Sequence, residues 1–262
     1  MKKILLPFVL AFLLMLVVQP FSLPGQTAAL AATGAQNMPP HPRLNDEIKS
    51  GAVKLPAFTD QVPSRSPATG VKGPSLAPLT GTLRVLVILV DFSDQARTVN
   101  ASYFDTLMFA NPVNGRGSVR DYFGEISYGA VDIVTVNMPS ALGWRRAPNS
   151  KAYYVNNNYC VAATYPNNCQ RLAEELVNAV DSVVDFAAYD NDGNGETEPI
   201  MIVHSGPGAE FTGSLSDIWS HSWSLNAPLT RDGKTIFQYT IQPEFWQTVN
   251  PTTSDMTIGV FA

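Results

Sequence analysis

Residues 190–196 carry the densest chemistry in the chain, with Asp190, Asn191, Asp192, Gly193, Asn194, Gly195 and Glu196 in a row. Oxygen-bearing side chains fall at positions one, three and five, and a glycine at six. This is the front half of a calcium loop: a hard cation needs several oxygens, and the glycine lets the chain turn sharply enough to converge them. Glu196 adds a backbone carbonyl at position seven and Glu198 stands at nine. Met201 takes position twelve, where such loops place a bidentate glutamate. The calcium ligands expected here are Asp190, Asp192, Asn194, Glu196 and Glu198. An Asx- and Gly-rich turn between a helix and a strand has the same composition and needs no ion. The sequence leaves both open.

Three histidines bound the remaining metal chemistry. His41 lies in a Pro-rich zone, His204 precedes Ser205-Gly206-Pro207-Gly208, and His221 sits between Trp219 and Trp223. No two stand at the i, i+4 spacing that lets one helix face hold zinc. His204 reads as a strand-end residue bonded to a turn, and His221 as a packed histidine with its polar atoms satisfied. No G-x-S-x-G elbow offers a serine nucleophile, and Gly206-Pro207-Gly208 does not match a phosphate loop. Asn100-Ala101-Ser102 spells a glycosylation sequon, which matters only in a host that glycosylates.

The elements that must position these groups begin after a leader. Lys2 and Lys3 precede an apolar run from residue 4 to 18, and Ala29-Leu30-Ala31 follows as an A-x-A site. Residues 1–32 therefore read as a secretory signal peptide, and an uncleaved anchor is the weaker alternative. In an exported chain with only two cysteines, Cys160 and Cys169 pair as a disulfide that closes a small loop. Their spacing is not C-x-x-C, which argues against zinc.

Residues 33–81 are dense in Pro and Gly and form a linker or a pro-segment, with one short helix at 44–49. The folded domain runs over 82–262. Residues 83–92 predict a strand buried on both faces. Residues 118–126 predict a helix capped by Ser118, and 131–136 an alternating strand. Residues 170–184 predict an amphipathic helix buried through Leu172, Leu176, Ala179, Val180 and Val183, with Glu174 and Glu175 toward its front. Strands follow at 200–203 and 236–241. Strands alternating with helices make an α/β or α+β sheet domain. The formal charge of −5, with 17 basic against 22 acidic residues, argues against nucleic-acid binding. The pair Arg145-Arg146 is too small for a binding patch.

Several strings, in order, resemble the M6 family of secreted bacterial metallopeptidases, the immune inhibitor A type. They are Val87-Ile88-Leu89-Val90-Asp91-Phe92-Ser93-Asp94, then Ser118-Val119-Arg120-Asp121-Tyr122-Phe123 with Ser127-Tyr128-Gly129. Tyr189-Asp190-Asn191-Asp192-Gly193 and Met201-Ile202-Val203-His204-Ser205-Gly206-Pro207-Gly208-Ala209-Glu210 follow. Asp217-Ile218-Trp219-Ser220-His221 and Tyr239-Thr240-Ile241-Gln242-Pro243-Glu244 complete the series, and Pro39-Pro40-His41-Pro42 is similar to the start of that family's pro-region.

The resemblance implies a zincin-like α/β domain, a twisted sheet with flanking helices. It also implies a secreted zinc endopeptidase acting on proteins or peptides, with calcium at the 190–196 loop and no stable membrane association after the leader is removed. In that family a segment like Thr257-Ile258-Gly259-Val260-Phe261-Ala262 leads into a helix bearing His-Glu-x-x-His, which holds zinc and the general base. No such string occurs here. The expectation is an N-terminal portion of a longer peptidase, inactive alone, with no catalytic residue of its own. A non-catalytic exported binding or adhesion module on the same scaffold is the competing expectation.

Overall fold

A computed structural model describes residues 36–56, 80–110, 117–161 and 164–245. The leader, residues 57–79 of the Pro-rich zone and the 257–262 string lie outside the described residues. Along the chain come β1 (Gln36–Asn37), α1 (Asn45–Ser50), β2 (Gly81–Arg84), β3 (Val87–Asp91), α2 (Ser102–Phe109) and α3 (Val119–Ile126). Next are β4 (Val131–Val134), α4 (Pro139–Leu142), β5 (Trp144–Arg146), α5 (Lys151–Val155) and α6 (Cys169–Val180). The series closes with β6 (Ile200–Pro207), α7 (Ala209–Thr212), β7 (His221–Arg231) and β8 (Lys234–Phe245).

The main sheet has the order β1-β7-β8-β6-β3-β5. β8, β6, β3 and β5 run parallel, β7 is antiparallel to β8, and β1 is antiparallel to β7. Helices cover both faces, and the residues of β3 show why. Ile88 and Val90 join Leu172, Leu176 and Val180 of α6 in one apolar cluster. Val87 and Leu89 point the other way, into a cluster with Phe104 and Met108 of α2 and Val119. Each such side chain taken from water contributes about 1.5–3 kcal/mol. The result is the expected α/β sheet with flanking helices.

Residues 83–92 do not form one strand. β2 pairs with β4 in a separate two-stranded parallel sheet, and its residues are exposed or half-buried. The chain changes partner at residues 85 and 86: Val85 N donates to Val134 O at 2.9 Å, and Leu86 O accepts from Met201 N at 2.9 Å. Only β3 is buried on both faces.

α6 departs from expectation in three ways, the first being that it ends at Val180, short of the expected 184, so that Val183 lies beyond it. Its buried stripe is Leu172, Ala173, Leu176, Val177 and Val180, whereas Ala179 and Val183 are exposed. Glu174 and Glu175 lie beyond the first turn, so they bind side chains in place of the helix dipole. Glu174 accepts from Tyr165 Oη at 2.8 Å, and Glu175 accepts from Arg171 Nε at 2.8 Å and from the Tyr154 hydroxyl.

α3 starts as expected: Ser118 Oγ accepts from Asp121 N and Asp121 returns the bond to Ser118 N, each at 3.0 Å, a capping box. Cys160 and Cys169 are bonded, with Cα atoms 5.1 Å apart, fastening the start of α6 to the preceding turn. β7 is an element the periodicity did not predict. Its hairpin turn is Asp232-Gly233, both left-handed with φ +49° and +73°, the pair that a two-residue primed turn prefers.

Residues 36–53 pack on the domain. Beyond the β1–β7 pairing, Met38 N donates to Ser220 O at 2.9 Å and Trp219 Nε1 donates to Met38 O at 2.7 Å. His41 N donates to Glu210 O at 2.7 Å, Arg43 stacks 4.5 Å over the Phe211 ring, and Leu44 is buried.

Candidate functional site

Open parallel sheets place ligands beyond the carboxyl ends of their strands, and eight of the buried polar residues of this chain gather at that end of the sheet. Asp91 ends β3, His204 and Ser205 lie late in β6, Gln242 and Glu244 end β8, and Ser220 and His221 open β7. Glu210 lies in α7, just after β6. All eight are at most 3 % exposed.

Each group is held by a particular neighbour. Arg146 grips Asp91 through both oxygens, Nε to Oδ1 at 2.8 Å and Nη2 to Oδ2 at 3.0 Å, so β5 is locked to β3. Asp94 accepts from the amides of Lys151 and Ala152 at 2.6 and 3.0 Å, the first two of α5, whose N-cap is Ser150. Burial raises the Asp94 pKa, but these amides outweigh it and hold the carboxyl below its ordinary value. Glu244 accepts from the amides of Thr98 and Val99 on Oε1 at 2.7 and 2.6 Å, and from Gly206 N on Oε2 at 3.2 Å. Glu210 accepts from Ser220 Oγ at 2.7 Å and Ser220 N at 3.1 Å. A Cβ on residue 208 would stand 2.3 Å from Glu210 Oε1, so glycine there is what lets the carboxylate fold back. Burial raises the pKa of both glutamates from their ordinary value, against the hydrogen bonds that lower it.

The two histidines differ. A carbonyl only accepts, so His221 Nδ1 donates to Trp219 O at 2.7 Å and its Nε2 accepts from Tyr239 Oη at 3.0 Å. His204 Nδ1 donates to Ser205 O at 3.1 Å, while its Nε2, fully buried, has no hydrogen-bond partner among the described residues. Burial drives His204 down to about 3 and His221 down to about 4, so both are neutral near pH 7. Beside them Lys151 and Asp217 form an ion pair at 2.8 Å. The lone pair on His204 Nε2 has the chemistry of a zinc ligand. Among the described residues, however, no group of three or more His, Cys, Asp or Glu is placed to hold a metal. The described donor set does not fit a zinc centre.

The 190–196 loop is arranged as a turn. Asp190 Oδ1 accepts from Asn194 N at 3.1 Å and Oδ2 from Gly195 N at 3.0 Å. Both oxygens of Asp192 accept from Asn194, its N and Nδ2, each at 3.0 Å. Asn194 Oδ1 accepts from Glu196 N at 2.7 Å, and Glu198 Oε2 from Asn191 N at 3.2 Å. Glu196 itself bridges to Thr235 of β8. Burial raises the Glu198 pKa. Asp190 feels the same burial, but Lys234 and the Gly195 amide outweigh it and hold its carboxyl below the ordinary value. The five expected calcium ligands share one stretch of chain, in which Asp190, Asp192 and Asn194 accept from neighbours in the loop, Asp190 also from Lys234, and Glu198 through one oxygen from Asn191 N.

Sequence reasoning singled out His204 and His221 but gave Glu210 and Glu244 no role. A buried carboxylate has no local signature. The Gly208-x-Glu210 spacing at a strand end is the one signal that could have marked the first.

A comparison with curated proteins gives no match. A family model described as the immune inhibitor A peptidase M6 catalytic domain matches residues 79–262. That span takes in everything from β2 to β8, including the polar strand ends, and leaves out residues 36–53. This chain belongs to the immune inhibitor A peptidase M6 family, and its domain is of a proteolytic kind.

Proposed function

We propose that this chain supplies the sheet scaffold and one cleft wall of a secreted zinc endopeptidase, while its own residues form no zinc centre. The observation that carries this is the polar strand-end cluster inside the span matched by the family. A zinc ion in such a peptidase supplies Lewis-acid activation of water. The residues here do something else: Asp91 and Glu244 fix the loops beyond β3 and β6, and His204 and His221 add no charge of their own to the wall near pH 7. β7 is the antiparallel strand next to the sheet margin and already pairs with an extended segment at Gln36–Asn37. That supports strand addition as the way a protein or peptide substrate docks.

Residues 36–53 lie outside the matched span yet clasp the start of β7 and α7. We read them as a pro-segment that a substrate must displace. Residues 1–32 are the secretory leader in this proposal, and the domain begins near residue 82. The test is casein hydrolysis by the 262-residue chain with zinc and with chelator. No chelator-sensitive cleavage is expected, because its three histidines include no pair at i, i+4. Clear cleavage lost in His204→Ala would place a zinc centre on this wall and refute the proposal. The codons after Ala262 separate the peptidase from a non-catalytic exported module: His-Glu-x-x-His supports the first and a stop codon the second.

A further inference from the structure

We propose that the Lys234 ammonium is the resident cation of the 190–196 loop, so that a segment spelled like a calcium site keeps its fold without a divalent ion. Lys234 Nζ stands 2.8 Å from Asp190 Oδ2, and the Asp190 side chain is only 1 % exposed. Two carboxylates within one turn repel each other. A cation at hydrogen-bond distance from the buried one offsets that repulsion.

The loop's own donors reach the other carboxylate oxygens. Every carboxylate oxygen of Asp190 and Asp192 accepts at least one bond from within the loop. A calcium ion needs six to eight oxygens at about 2.3–2.6 Å. Asp190 Oδ2 already accepts from both the Gly195 amide and Lys234, so a calcium ion using that oxygen would have to displace the lysine.

The hairpin delivers the cation. Asp232-Gly233 reverses β7 into β8, and Lys234 is the first residue of β8. The next residue is tied to the loop through its backbone: Thr235 N donates to Gly195 O at 2.9 Å, and Thr197 N donates to Thr235 O at 3.0 Å. On its other side the loop clasps the end of β2, where Arg84 N donates to Asn191 Oδ1 at 2.8 Å and Asn191 Nδ2 donates to Arg84 O at 2.9 Å. The loop is thus a latch between the β7–β8 hairpin and the β2–β3 junction, and lysine charges it in place of a metal.

The experiment is thermal unfolding of the full chain in chelator and in millimolar calcium, for wild type, Lys234→Met, Lys234→Arg and Asp190→Asn. Wild type is expected to unfold at the same temperature in both solutions. Lys234→Met should fall by at least about 2 °C in chelator, with calcium recovering part of the fall by binding the native state. Lys234→Arg, which keeps the charge, should stay near wild type. A calcium-dependent rise in wild type that Asp190→Asn abolishes would overturn the proposal. So would a Lys234→Met chain that melts with wild type in chelator, or a Lys234→Arg chain that falls as far as Lys234→Met.

Discussion

The acidic loop and the polar strand ends invert each other. The loop gathers its charged and amide groups from one short stretch of chain and bonds them to its own residues, to Lys234 and to Arg84 of β2. The strand ends draw theirs from residues as far apart as Asp91 and Glu244, bury them more deeply, and leave His204 Nε2 without a partner among the described residues. Local spacing therefore marks where polar groups are dense. Burial and long-range pairing decide whether they are spent on structure.

Acid should separate the two regions most strongly. His204 and His221 have folded pKa values lowered to about 3 and about 4, below the ordinary 6.5. Their contribution is fully present above pH 6.5 and is lost as pH falls toward 4, because the unfolded chain takes protons that the folded one refuses. The slope reaches about 1.4 kcal/mol per pH unit for each histidine. Glu210 and Glu244 act in the opposite sense, since their folded pKa values are raised. Denaturant midpoints followed from pH 7 to 4 should fall, and the His204→Asn/His221→Asn pair should flatten the curve. A flat wild-type curve would break the contrast.

Glu244→Ala strands the amides of Thr98, Val99 and Gly206 and should cost at least about 3 kcal/mol in equilibrium unfolding. Replacing Cys160 and Cys169 by Ala should cost about 2–3 kcal/mol, because a short closed loop is freed only in the unfolded chain. Within the acidic loop, Asp190→Asn should cost about 1–2 kcal/mol, since it weakens a buried charge-assisted pair. The exposed Asp192→Asn should change stability by less than about 0.5 kcal/mol. Equal losses at 190 and 192 would mean that burial does not set the loop's energetics.

Much of the fold was legible in the sequence where one element satisfies one pattern. The Ser118–Asp121 capping box and the five buried residues of β3 are local signals. The break at residues 85 and 86 was not legible, because a continuous apolar run says nothing about which partner each residue pairs with. Ala179 was misplaced because the stripe through Ala173 and Val177 has nearly the same period, and Val183 because the helix ends at Val180. β7 was hidden by its polar half, although Asp232-Gly233 announced the turn. At the candidate site the histidines could be named and their packing foreseen. Glu210 and Glu244 could not, since their burial depends on Ser220 and on the amides at 98, 99 and 206. Lys234 has no mark in sequence as a partner of Asp190, because the hairpin brings it across 44 positions.

The central claim is that these residues build the wall of a peptidase domain without forming its zinc centre. Zinc bound per chain, measured on the purified 262-residue protein after equilibration with the metal and dialysis, tests it most directly. The account predicts far less than one ion per chain, unchanged in His204→Ala and His221→Ala. One tightly held ion per chain that either substitution removes would contradict it.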